Sequence, residues 1–223
     1  MKRVALITDV HTPLGDQLVR RYLSEGYGVA ATCSDQSRIE TPLVSEEEKL
    51  AVIDWNRQSA ISAKNVLLSA LNRFHSIDET LLLCTPELEQ KLLQETATDT
   101  IDRAVDSWIK GALFLMKAVL ELYGRKQAGF LGLINHIPQV EAAVPPPLEN
   151  ALRGSFTATA EAMFAGTGQK NIFVIGFESR SSKIEELADF IFETMKNRGF
   201  RSTGKWHRFP PRAGILSALS AKQ

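Results

Sequence analysis

Apolar and polar positions change period repeatedly along the chain, and the alternation predicts its elements. Val4 to Thr8 is an apolar run of the kind that forms a strand buried on both faces of a parallel sheet. Thr12 and Pro13 follow as a helix cap and a first-turn proline, whose missing N–H costs nothing there. Leu14, Leu18, Tyr22 and Leu23 carry the apolar stripe of a helix that Gly26 stops. Strands are then predicted over Val29 to Cys33 and Leu50 to Ile53. A helix lies on Val66, Leu67, Ala70, Leu71 and Phe74, and a fourth strand over Leu81 to Cys84. A short helix is expected after Pro86, then a long one from about Thr100 to Tyr123, with Ile101, Val105, Trp108, Ile109, Ala112, Met116 and Val119 on one side. Phe130 to Asn135 reads as the fifth strand, Leu148 to Ala165 as a helix and Ile172 to Ile175 as the sixth strand. Ile184 to Met195 reads as a helix and Lys205 to Phe209 as the last strand. Ser34 to Glu48 and His136 to Pro147 are irregular. Strands alternating with helices predict a doubly wound parallel α/β sheet with right-handed crossovers.

Composition narrows the class. The 223 residues are 44% hydrophobic and 23% charged, ordinary for one globular domain with a sizeable core, so residues 1–223 are read as a single unit. Twenty-six basic and 26 acidic residues cancel, which argues against nucleic acid or an anionic membrane as a partner. No apolar run approaches the roughly 18 residues a membrane span needs. The opening MKRVALITD is too short in its apolar part for a signal peptide and reads as the first strand of a cytoplasmic protein.

The order and spacing of several stretches resemble the short-chain dehydrogenase/reductase superfamily over nearly the whole chain. "AVIDWN" (51–56) resembles the third-strand pair that holds an adenine ring, here Asp54 and Trp55. "SWIKGALFLMKAVL" (107–120) resembles the central helix. "GLINHI" followed by "ENALRGSFTATAEAM" resembles the catalytic strand and the helix bearing Tyr-x-x-x-Lys, and "STGKWHRF" (202–209) the closing Thr-Gly and last strand. The resemblance implies a Rossmann-type sheet of order 3-2-1-4-5-6-7 and an NAD(P) cofactor.

At the functional positions the residues depart from that pattern. "TDVHTPLG" sets Thr8, Asp9, Pro13 and Gly15 against Thr-Gly-x-x-x-Gly-x-Gly. Glu149 falls on the tyrosine, Arg153 on the lysine, His136 on the serine and Trp108 on the helix asparagine; Cys84, Thr85 and Pro86 stand at the Asn-Ala-Gly. An ionised carboxylate cannot donate a proton to a developing alkoxide, and a guanidinium does not deprotonate. Glu149 and Arg153 read otherwise as an i, i+4 helix pair worth a few tenths of a kcal/mol. His136, at the end of the fifth strand, is the remaining candidate acid, with Glu149 as its orienting partner; the alternative is a hydrogen-bonded structural histidine. Asp9 puts an anion where a phosphate would sit. Its carboxylate is expected either to satisfy the helix N-terminus itself or simply to precede a capped helix start. Ser34 stands where an arginine would mark NADP, so the cofactor preference stays open.

His11, Cys33 and Cys84 fall just past the ends of strands one, two and four. In the implied order the two cysteines lie about 10 Å apart, beyond the roughly 7 Å reach of a disulfide. Without C-x-x-C or H-x-x-x-H spacing no metal site is predicted, and both thiols are expected buried and reduced.

The leading expectation is thus a degenerate, catalytically silent relative of these oxidoreductases that acts by binding a ligand or partner. The alternative is an NAD(P)-dependent oxidoreductase with His136 as proton donor, and a third reading is the silent half of a hetero-oligomer. The long helix carries Leu113, Phe114, Leu120 and Leu122 off its main stripe. With the helix of "SFTATAEAMFAG" it is expected to pair across a homodimer; the alternative is that the sheet and the C-terminal "PPRAGILSALSAKQ" cover both faces within one chain.

Overall fold

The computed structural model describes residues 3–33, 48–86, 91–137, 146–166, 171–197 and 203–210. Its seven strands are β1 (Val4–Ile7), β2 (Gly28–Cys33), β3 (Leu50–Asp54), β4 (Glu79–Cys84), β5 (Gly129–His136), β6 (Ile172–Ser179) and β7 (Trp206–Phe209). They form one sheet in the order β3-β2-β1-β4-β5-β6-β7, with every neighbouring pair parallel. The helices are α1 (Pro13–Ser24), α2 (Ala60–Phe74), α3 (Thr98–Ala104), α4 (Gly111–Lys126), α5 (Pro147–Phe164) and α6 (Ile184–Lys196). This is the doubly wound architecture that the sequence predicts.

Strand pleating divides the apolar residues between two cores. Ala5 and Ile7 of β1 join Leu81 and Leu83 of β4 beneath α1 and α6, where Leu14, Leu18 and Tyr22 meet Leu187, Ile191 and Phe192. Leu6, Leu82, Leu131 and Leu133 point the other way, against Val66 of α2, Leu115 and Val119 of α4 and Phe156 of α5. The continuous apolar runs follow from this geometry, since each strand is covered on both sides.

Helix α1 begins as expected. Thr12 is extended (φ −88°, ψ 150°), its Oγ1 accepts from the N–H of Gly15 at 3.1 Å, and Pro13 is the first helical residue. Gly26, at φ 81°, closes the other end and donates its N–H to the carbonyl of Leu23. The long helix differs from expectation. It starts at Thr98, and a π turn over Val105–Lys110 separates α3 from α4. The wider turn breaks the register of the apolar stripe: Ala112, Met116 and Val119 are buried, whereas Ile101, Val105, Trp108 and Ile109 are only partly so. The short helix expected after Pro86 lies partly outside the described residues, and Leu93–Glu95 form a single 3₁₀ turn.

Gly15 tolerates no side chain. A Cβ there would stand 2.1 Å from the carbonyl oxygen of Asp9, whereas one on Gly154, mid-helix in α5, would meet nothing within 4 Å. Gly15→Ala should therefore cost at least about 2 kcal/mol by overpacking, and Gly154→Ala should add about 0.5–1 kcal/mol through helix propensity. Urea midpoints at unchanged slope measure both; a neutral Gly15→Ala would contradict the geometry of this turn.

Candidate functional site

Open parallel sheets bind ligands outside the carboxyl ends of their strands, where the strand order reverses, here between β1 and β4. At the end of β1 the Thr8 hydroxyl accepts from the N–H of Leu83 at 2.9 Å and its own N–H donates to Leu81, tying the two strands together. Asp9 follows at φ 58°, a left-handed conformation that favours glycine and, among side-chain residues, Asp and Asn. The carbonyl of Asp9 accepts from the N–H and the hydroxyl of Thr12, at 2.9 and 2.8 Å.

The Asp9 carboxylate does not satisfy the helix N-terminus. Thr12 does that, so the simple capped start is the one realised, and the carboxylate turns away to Arg57. Arg57 leaves the loop after β3 and donates through Nη2 to Asp9 Oδ2. Its guanidinium lies between two indoles, 4.2 Å from the ring centre of Trp55 and 4.1 Å from that of Trp108. The side chains of the pair are 8% and 4% exposed. Gly111 lets the arginine backbone approach, since a Cβ there would fall 2.5 Å from the Arg57 carbonyl. An anion in the turn after β1, a cation after β3 and two aromatic faces thus form one stack, with the ion pair itself buried. Beside it opens a cleft of about 550 Å³, lined by residues that include Asp54, Trp55, Arg57 and Trp108.

A second guanidinium organises the ends of β4 and β5. Arg153 Nε donates to Glu149 Oε1 at 2.8 Å, and Nη1 reaches the carbonyls of Cys84 and His136 and Asn135 Oδ1 at 2.8–3.1 Å. The expected i, i+4 pair forms, but buried, and Arg153 also reaches the backbone carbonyls at the ends of β4 and β5. Glu149 does not orient the His136 ring, contrary to expectation: Arg153 joins Glu149 only to the His136 main-chain carbonyl. The His136 ring itself pairs with the carbonyl of Ser181, Nε2 to oxygen 3.0 Å, which requires Nε2 to carry the proton. Burial holds this histidine below its ordinary pKa, and Arg153 pushes the same way against the opposing pull of the Ser181 carbonyl.

The remaining candidates are dispersed around this centre. Asp54 is exposed at the rim, while Trp55 is 1% exposed and offers its face to Arg57. Ser34 lies outside the described residues. Both cysteines are free and buried. Burial pushes the Cys84 thiol up to about 12, although Arg153 and Arg57 act to lower it. Cys33 Sγ sits 3.8 Å from His11 Nδ1.

No protein-family model matches the chain, and no curated protein is similar enough in sequence to be matched. Solved structures do match it. A 3-ketoacyl-(acyl-carrier-protein) reductase from Brucella melitensis, complexed with NADH, superposes with a TM-score of 0.77 at 14% identity, over 93% of this chain and 96% of that one. A short-chain dehydrogenase from Streptomyces avermitilis gives 0.77 at 13% identity over 100% and 94%, and a metagenomic short-chain oxidoreductase in complex with NADP gives 0.78 at 13% over 95% and 98%. The chain has the short-chain dehydrogenase/reductase fold. On that fold Asp9, Trp55 and Trp108, three positions singled out by their departure from the pattern or their place in it, converge on Arg57, which sequence reasoning missed. The signal available was physical: an aspartate committed to the first turn of a buried strand needs a cation, and Arg57 follows a strand that ends at the same edge.

His136 generates a pH prediction. Its folded pKa lies below its unfolded value of about 6.5, so the unfolded chain binds the extra proton first. Above both values the group contributes nothing; as pH falls through about 6.5, stability is lost until the folded pKa is passed. His136→Gln, which can still offer an N–H to Ser181, should flatten that slope below about pH 6.5 in denaturant titrations. An unchanged slope would count against a buried neutral imidazole.

Proposed function

We propose that this chain acts by binding, as a catalytically silent protein on an oxidoreductase fold, in the cytoplasm. One observation supports the reading: at the turn after β1, where the resemblance would put a pyrophosphate, Asp9 pairs with Arg57 in a buried contact between Trp55 and Trp108. The residues do not fit a pyrophosphate. The position that would give it room is an aspartate whose backbone is already engaged by Thr12, and the first helical N–H is replaced by Pro13. Glu149 and Arg153, which would have to supply the acid–base chemistry, are committed to each other and to strand ends. A reductase working through His136 is opposed by the commitment of its Nε2 proton to Ser181. Among the described residues no helix is long and apolar enough to cross a membrane.

Calorimetric titration with NADH and NADPH should show no saturation up to about 1 mM, and a panel of carbonyls and alcohols no cofactor-dependent turnover. Turnover lost in His136→Ala but kept in Glu149→Gln would restore the oxidoreductase reading.

For the partner, the proposal is a second copy of this chain across α4 and α5. Phe156 and Ala160 are buried within one chain, so the surface cannot rest on them. Leu113 is 44% exposed on α4, while Phe114, Leu120 and Leu122 are only partly covered against the core. A face of this kind is completed by a two-fold partner presenting the same patch. Light scattering at micromolar concentration should give a dimer mass that Leu113→Glu reduces to a monomer without loss of helical circular dichroism. A monomer in the unsubstituted protein would end the proposal.

A further inference from the structure

Helix α3 and the π turn behind it form an arm along one side of the 550 Å³ cleft, and the body of the protein holds that arm lightly. Of the described residues 91–110, Ala104 alone is buried. Helix α4, which continues the arm, buries seven, among them Ala112, Leu115, Met116 and Val119. The ion pairs Asp99–Arg103 and Asp106–Lys110 run along the arm from one turn to the next and do not tie it to the sheet. Leu92 and Leu93, near its start, are 56% and 51% exposed. A segment with so few buried contacts belongs to the low end of a protein's local stabilities.

The arm meets the cleft through Ser107 and Trp108. The Trp108 ring lies 4.1 Å from the Arg57 guanidinium, and Ser107 Oγ accepts from Gln58 Nε2 across a long 3.4 Å bond. Trp108 also borders the groove between α4 and α5, beside Phe156 and Thr159, so a second apolar surface adjoins the one it covers. It stands within the π turn Val105–Lys110. Such turns are rare, occur singly inside α-helices and are frequent at functional sites. Return of the turn to α geometry rotates the arm about the helix axis by up to about the 100° of one residue, which takes Trp108 off Arg57.

We propose that residues 91–110 are a lid on the cleft, hinged at the π turn and latched by Trp108 on Arg57. Opening converts the turn towards α geometry and bares the Arg57 face that Trp108 covers, while the sheet and α4 stay folded. The latch is one cation–π contact with a long bond at the rim, weak beside the unfolding of the whole domain.

The test is native-state hydrogen exchange of the full chain, read by mass spectrometry at increasing low concentrations of urea. Peptides from 98–110 should exchange at least about tenfold faster than those from 112–126 and with little urea dependence, because local opening exposes little surface. Trp108→Ala separates a latched lid from a frayed helix end. Alanine is the better helix former, so a helix held only by its own bonds exchanges more slowly over 98–106 after this change. A latched lid exchanges severalfold faster there, with 112–126 following the urea midpoint as before. Trp108→Phe keeps a ring face for Arg57 and should restore most of the original rate. If Trp108→Ala fails to fold, Trp108→Leu, also a strong helix former without a ring, replaces it. Exchange of 98–110 only in step with 112–126, a rate over 98–106 that is slowed or unchanged in the ringless variant, or no recovery in Trp108→Phe overturns the lid. The readout needs no ligand, so it is independent of whether the crevice admits a dinucleotide.

Discussion

The crevice depends on one buried ion pair. Taking a carboxylate and a guanidinium out of water costs several kcal/mol per ion, and only close pairing with further contacts offsets it. Asp9 and Arg57 meet that condition through the charge pair itself and two indole faces, each of which attracts a desolvated cation. The constraint then propagates. Asp9 must take a left-handed backbone to present its carboxylate, Gly15 must lack a side chain to pass its carbonyl, and Gly111 must lack one to admit the Arg57 backbone. The π turn before α4 carries Trp108, the upper face of the clamp.

Arg153 repeats the principle a few strands away. A parallel sheet leaves carbonyls unpaired where its strands end, and a guanidinium offers enough donors to answer several at once. Arg153 does so for Cys84 and His136 while Glu149 balances its charge, and Ser181 holds the His136 ring. Two arginines therefore organise the carboxyl ends of the central strands, Arg57 beside β1 and β3 and Arg153 beside β4 and β5. What these side chains give is a cross-braced strand-end region with a cleft beside Trp55 and Trp108.

Much of the fold was legible because its determinants are local or periodic. Two-sided burial produces continuous apolar strands, and 3.6-residue stripes mark the helices facing them; Thr12, Pro13 and Gly26 act through the bonds of their immediate neighbours. The strand order came with the resemblance, and pairing in the structure agrees with it. The π turn was not legible, because its apolar spacing remains compatible with an ordinary helix until packing selects the wider turn.

By itself, then, the sequence determined the alternation of strands and helices, the capped turn after β1, and the i, i+4 placement of Glu149 and Arg153 on one helix. Tertiary structure alone decided what those charges do. The partners of Asp9 lie 48 residues away in Arg57 and those of Arg153 lie up to 69 residues away at Cys84. Charge pairing across a sheet leaves no periodic trace along the chain. A carboxylate reads the same in sequence whether it caps a helix, binds water or neutralises a buried arginine, and only the position of the neighbouring strand ends separates these outcomes.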